Sequence, residues 1–280
     1  MKIGLVGWTV QMLLEKSGDP RANELERVFE KAAELGIQSL ELGVGRSDRA
    51  AFVERVGRLK ERYGIHVELG YGPIVFEGDA GGAAEAFAEY IDRVCKPLGV
   101  TTLGVVSPFH GGRWLREPSL EVQMDRLARG LSVLAPVAEE RGVVLAIENH
   151  ADYRGYELVQ LIERVGSRAL GIKFDTGNVY CAIEEPVAAA EAVTPHTYMT
   201  HFKDVIVQAE PCNRRLPGGL LSLTECALGR GHVDLVKIVS MLAEKGPLGK
   251  GLVLTIECQP GDVEESLRWA RRELGAFLDG

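Results

Sequence analysis

Four side chains able to bind a metal each follow an apolar run. Val143-Val144-Leu145-Ala146-Ile147 leads into Glu148, Leu170-Gly171-Ile172-Lys173-Phe174 into Asp175, Tyr198-Met199-Thr200 into His201, and Leu252-Val253-Leu254-Thr255-Ile256 into Glu257. One acid after a strand ordinarily marks where the chain reaches solvent, and a lone histidine is more often structural than a ligand. The shared placement of all four is what points to chemistry. Three carboxylates crowded together repel one another and lose hydration, and a divalent cation relieves both penalties. Three oxygens and one imidazole form a fairly hard ligand set. That favours Mn²⁺, with Mg²⁺, Co²⁺ or Zn²⁺ as alternatives, and leaves positions for substrate oxygens. Such a site suits removal of a proton next to a carbonyl, with the ion stabilising an enediolate. Glu148 and Glu257 are candidates for the paired acid and base.

Other residues could complete the pocket. Lys203 shares side-chain parity with His201 and could steady an enolate oxygen or hold a substrate carboxylate; the plainer alternative is a strand-end lysine in water. His150 has the parity of Glu148, and with Asn178, His110, Trp8 and Arg230 it is a candidate substrate contact. Trp8, Tyr71, Phe109, His110 and Trp114 could wall a sugar pocket. Arg214, Arg215 and Arg230 could clamp a phosphate or carboxylate, although loop arginines are more often solvated. Lys173, one pleat below Asp175, reads as a buried ion-pair partner without a catalytic role.

These residues need elements that bring them together. Short apolar runs that suit strands buried on both faces occur near Lys2–Gly7, Ser39–Leu42, His66–Leu69, Thr101–Val106, Val143–Glu148, Leu170–Asp175, Thr197–His201 and Leu252–Glu257. Amphipathic stripes lie between them, such as Leu25, Val28, Phe29 and Ala32, closed by Gly36 where a left-handed cap is expected. Helices after strands two and six are placed near Ala50–Tyr63 and Pro186–Ala192. Eight strand–helix units in 280 residues predict an α/β chain forming one (β/α)8 TIM barrel over residues 1–280, since such a barrel takes roughly 250 residues. The Gly4–Val10 stretch lacks the glycine-rich turn of an open nucleotide-binding sheet. Asp204–His232 reads as a long functional loop. In a barrel the ends of strands five to eight share one face, where barrel enzymes do chemistry.

The formal charge of −8 argues against nucleic-acid or anionic-lipid partners. No apolar run is long enough to span a bilayer, and no leader pattern precedes the first strand. The five dispersed cysteines, including Cys212, read as reduced thiols, so the expected location is the cytoplasm.

Glu148-Asn149-His150, Asp175-Thr176-Gly177-Asn178, His201-Phe202-Lys203-Asp204, Gly229-Arg230-Gly231 with Asp234, and the final Glu257 together resemble the xylose-isomerase-like barrel superfamily, in its sugar phosphate isomerase/epimerase branch. The resemblance spans essentially the whole chain. It implies that Glu148, Asp175, His201 and Glu257 bind the metal, and that the chain forms homo-oligomers. It implies a metal-dependent isomerase or epimerase of a keto-sugar or related polyol. The alternative is a metal-dependent lyase, a dehydratase or decarboxylase acting on a keto-sugar acid or cyclic keto-polyol. Behind these stand a non-catalytic sugar-binding barrel and an AP-endonuclease-like hydrolase. Asn178 stands where the endonuclease branch carries a histidine, and Glu225 lies in the region of another. The ketose 3-epimerases carry a Glu and an Arg shortly after the metal histidine and a His three residues after the metal aspartate. Here His201-Phe202-Lys203-Asp204, a long insertion and Asn178 take those places, which raises the weight of a lyase.

Overall fold

A computed structural model describes residues 1–44, 48–74, 78–109, 111–210 and 220–279. Eight parallel strands form one sheet in the order β10-β1-β2-β3-β4-β5-β6-β7. They are β1 (Lys2–Val6), β2 (Ser39–Gly43), β3 (His66–Pro73), β4 (Thr102–Val106), β5 (Val144–Glu148), β6 (Leu170–Asp175), β7 (Thr197–His201) and β10 (Val253–Ile256). The chain is therefore the TIM barrel that its alternating pattern predicts, nearly closed. Between β7 and β10 the ring is completed by one bridge, Phe202 to Ile256, and by the Thr200 hydroxyl, which donates to Val253 O and accepts from Thr255 N–H.

The helices cover the outside. They are α1 (Gly7–Lys16), α2 (Leu25–Glu34), α3 (Arg49–Tyr63), α4 (Ala80–Tyr90), α5 (Lys96–Leu98), α6 (Leu120–Glu140), α7 (Gly155–Val165), α8 (Pro186–Val193), α9 (Leu235–Lys245) and α10 (Val263–Glu273), with a π turn, Ile91–Cys95, linking α4 to α5. Each buries its apolar stripe on the sheet: α2 buries Val28, Phe29 and Ala32, and Gly36 takes the expected left-handed cap with φ +67°. The core lies between strands and helices. The barrel interior is partly polar, with Ser39, Glu41, Glu68, Lys173 and Thr255 all buried there. Among the described residues no helix is long and apolar enough to cross a membrane.

Trp8, a candidate pocket wall, stands in α1, which follows β1 directly. One expectation changes. The region expected as a loop from Asp204 is a two-stranded antiparallel hairpin, β8 (Asp204–Glu210) and β9 (Leu220–Cys226), separate from the barrel sheet. Its cause is the β-branched run Val205-Ile206-Val207 opposite Leu221-Ser222-Leu223-Thr224, whose period-two pattern suits a paired strand. Asp204 anchors its base. Its carboxylate accepts backbone N–H bonds from Val205 (2.9 Å), Gly229 (2.9 Å), Gly231 (2.9 Å) and Val233 (3.2 Å). Gly231 must lack a side chain, because a Cβ there would lie 2.1 Å from Asp204 Oδ1.

Candidate metal centre

Short polar residues at the strand ends set the geometry. Asn149 hooks β5 to β6: its amide donates to Asp175 O (2.8 Å), and its Oδ1 accepts the Asp175 N–H (2.7 Å). Thr176 ties β6 to the residue pair after β7, donating to Lys203 O (2.6 Å) and accepting from Lys203 N–H (2.9 Å). Asp175 Oδ1 accepts from the N–H groups of Gly177 and Asn178, which fixes the carboxylate and commits only one of its oxygens.

The remaining donor atoms converge. Around His201 Nδ1 stand Glu257 Oε2 at 2.9 Å, Glu148 Oε1 at 3.2 Å and Asp175 Oδ2 at 3.9 Å. Donor atoms of Glu148, Asp175 and His201 all lie within 4.8 Å of one another. Glu148 Oε1, Asp175 Oδ2 and His201 Nδ1 are buried and make no hydrogen bond. Buried polar atoms are nearly always hydrogen-bonded, so three that make only charge contacts and are aimed at one place fit a bound cation, and the donor chemistry fits a divalent one.

Two residues behind this cluster hold it. His201 Nε2 lies 2.9 Å from Glu41 Oε2, a contact that orients the ring and leaves Nδ1 for the cluster. Lys173 Nζ lies 2.6 Å from Glu41 Oε1 and 3.2 Å from Glu148 Oε2, so one ammonium bridges the supporting carboxylate and a ligand. In front, Lys203 Nζ lies 3.1 Å from Glu257 Oε2, 3.2 Å from Asp175 Oδ2 and 3.4 Å from Glu225 Oε1.

Crowding shows in the titration of the groups. Burial opposes ionisation of Glu148, but the positive charges of His201 and Lys173 outweigh it and hold the carboxyl well below the usual range. Burial likewise opposes the charge on Glu257, and His201 and Lys203 hold it at about 2. Asp175 goes the other way: burial, with Glu257 and Glu148 nearby, pushes it up to about 6 against the pull of Lys203. Burial and Lys173 disfavour the imidazolium, yet Glu148 and Glu41 raise His201 well above its ordinary value. Burial also lowers Lys203, which Asp175 and Glu257 more than reverse. Without a cation the cluster retains protons, which a divalent ion would replace.

Beside the cluster opens a cavity of about 500 Å³ lined by Trp8, Gln11, Asn23, Phe52, Glu41, Glu148, Lys173 and His201, with Gly70, Gly72 and Gly104 in its walls. Trp8 therefore borders the cavity. Asn178 is half-buried with Oδ1 3.5 Å from Lys203 Nζ. His150 is half-buried, and its charge lowers Glu148. Arg230 is not brought to the cluster: its Nε lies 2.6 Å from Glu265 on α10, and its side chain is 65% exposed. The Asp204 anchor, which bonds the backbone on both sides of Arg230, turns it outward. Tyr71 also faces away, packing edge-on against Phe87 and Tyr90. His110, Cys212, Arg214 and Arg215 lie outside the described residues. Sequence reading missed Glu41 and Glu68, and placed Glu225 only in the region of an endonuclease-branch histidine. The available signal was an acid inside an apolar strand, Leu40-Glu41-Leu42 and Val67-Glu68-Leu69, since a buried acid needs a partner.

Comparison with known proteins agrees with this architecture. A family model described as xylose isomerase-like TIM barrel matches residues 29–273. The protein YihM of Escherichia coli (strain K12), itself uncharacterized, is 26% identical over 126 residues, 45% of this chain. The match spans 36% of that relative's length. A D-psicose 3-epimerase from Clostridium cellulolyticum H10, solved with D-tagatose, superposes with a TM-score of 0.69 at 16% identity, covering 98% of this chain and 99% of that one. The probable 3-DHS dehydratase AsbF from Bacillus anthracis gives 0.68 at 13% identity over 96% and 98%. At these identities the likeness is one of fold.

Proposed function

The chain belongs to the xylose isomerase-like TIM barrel family, and on that premise we propose that it is a divalent-metal-dependent isomerase or epimerase of a keto-sugar or related polyol, working by abstraction of an α-proton. The observation that carries this reading is the convergence of three buried donor atoms without hydrogen bonds on Glu148, Asp175 and His201, with Glu257 beside them. Those four residues would hold the ion, with Mn²⁺ the best match to their donors and Mg²⁺, Co²⁺ or Zn²⁺ as alternatives. When bound, a divalent ion supplies Lewis acidity, favouring negative charge on the substrate oxygens as the proton leaves.

The chain's own groups supply the rest. Glu148 at the end of β5 and Glu257 just after β10 both reach His201 Nδ1, so two carboxylates from different parts of the barrel stand where a substrate bound at the cluster would react. One removes the α-proton and the other returns a proton. Lys203, whose proton is held more firmly than an ordinary lysine's, suits stabilising a developing oxyanion and not donating its proton. Trp8 and the glycine-lined wall give the sugar an apolar face and room. A metal-dependent lyase of a keto-sugar acid or cyclic keto-polyol is the second reading. It is favoured by the Lys203 ammonium at the cluster, which suits a substrate carboxylate. Both readings share the first proton transfer and differ in loss of water or carbon dioxide.

The test is proton NMR in D₂O, with Mn²⁺-loaded protein and a panel of ketoses and keto-acids. One C–H next to the carbonyl should exchange with solvent, followed by a new stereocentre or carbonyl position. Metal-loaded protein that exchanges no α-proton in any panel member would refute the reading.

A further inference from the structure

Large apolar side chains that remain exposed gather on one side of the barrel mouth. Trp114 (60% exposed), Ile183 (65%), Leu221 (64%) and Leu223 line, with Tyr180 and Val207, a cleft of about 670 Å³. That is the size of a small-molecule site. A soluble protein rarely leaves such a cluster uncovered without a use for it.

Both walls of the cleft start at the metal centre. The hairpin pairs Val205 with Glu225 and, two residues further out, Val207 with Leu223. Strand side chains alternate, so Glu225, Leu223 and Leu221 share one face. The inner end of that face is Glu225, with Oε1 3.4 Å from Lys203 Nζ. The opposite wall is the turn Asn178–Ala182, which begins at Asn178, 3.5 Å from the same Nζ, and carries Tyr180 and Cys181 outward. The Trp114 indole N–H donates to Cys181 O at 3.3 Å, fixing a third wall to this turn. The two acids on the rim are engaged elsewhere: Glu184 accepts from Gly155 N–H, and Glu185 caps α8. The cleft therefore offers apolar and aromatic surface to whatever extends past Lys203.

We propose that the substrate is a keto-sugar or polyol bearing an apolar substituent of aromatic-ring size, which this cleft receives while the sugar sits at the metal centre. The proposal rests on the sugar reading above and adds the nature of the attached group. A cleft of small-molecule size whose walls begin beside Lys203, with its rim acids already bonded, matches an uncharged small group better than a protein partner.

The experiment compares the methyl and phenyl ethers of one ketose, made at its terminal hydroxyl so that the carbonyl stays free, on the Mn²⁺-loaded protein. It uses titration calorimetry for binding and D₂O exchange for chemistry. The phenyl compound should bind about 10- to 100-fold more tightly, and Leu221→Asp and Ile183→Asp should each bring the ratio toward one with the melting temperature retained. Equal binding of the two ethers, with exchange observed for both, overturns the substituent and leaves the sugar reading intact. A phenyl preference that survives both variants also overturns it. A phenyl preference without exchange in any compound supports the cleft and removes the isomerase chemistry. If light scattering shows a dimer that Leu221→Asp dissociates, and the ethers bind equally, a second copy covers the cleft and the proposal fails.

Discussion

Glu41 lines the cavity beside the cluster and holds the Nε2 side of His201 while sharing Lys173 with Glu148. Replacing a carboxylate that orients a ligating histidine typically weakens metal binding about 10- to 100-fold. Glu41→Gln should therefore lower Mn²⁺ affinity by that factor in calorimetry with the melting temperature little changed, and an unaltered affinity would show that the contact is incidental. Glu257→Gln is expected to act differently. With metal occupancy matched to the parent by elemental analysis, α-proton exchange should fall roughly 100-fold or more, the usual worth of a positioned acid–base group. Retention of full exchange would remove Glu257 from proton transfer. The four clustered residues could be picked out in the sequence because each follows an apolar run, and the strand ends of a barrel share one face. Glu41 could not, because it lies inside its strand between Leu40 and Leu42, and only the ring of eight strands shows that its side chain crosses to His201.

Among the elements, the hairpin was the least legible. Its strands are joined to the barrel mainly through their base, so no barrel-wide periodicity marks them, and Asp204 reads in sequence as one more loop acid. In the fold that carboxylate serves four backbone N–H groups and lies buried. Asp204→Ala should cost about 3 kcal/mol or more in chemical denaturation, because the donors it leaves are deprived of partners. A loss under about 1 kcal/mol would mean that the backbone finds other acceptors. The same anchor explains why Arg230 is not brought to the cluster: the glycines flanking it serve the turn, and its direction follows from theirs. Elements with strong apolar periodicity were read nearly to their ends: the stripe Leu25, Val28, Phe29 and Ala32, closed by Gly36, is α2 over Leu25–Glu34. Packing of an amphipathic stripe fixes a helix more firmly than any single residue.

At the scale of the whole molecule, the barrel encloses charge as well as apolar bulk. Glu68 is buried beside Glu41, and burial together with that neighbouring charge pushes it up to about 7, although the Thr255 hydroxyl donates to it. The sign follows from linkage. Between about pH 4.5 and 7 the folded chain keeps a proton that the unfolded chain has released, so stability falls as pH rises through that window and levels off above it. The span corresponds to on the order of 3 kcal/mol. Glu68→Gln, which has no proton to lose, should flatten this decline in melting curves of metal-free protein, and an unchanged slope would assign it to other groups. A final consequence concerns the line where β7 meets β10. One bridge and one threonine hydroxyl join them there, while His201 ends the first strand and Glu257 follows the second. A cation gripped by both would work as a clasp across the thinnest stitching of the cylinder, so that stripping it would let the wall unzip first at this point, with amide exchange quickening at Phe202 and Glu257 before the rest of the ring loosens.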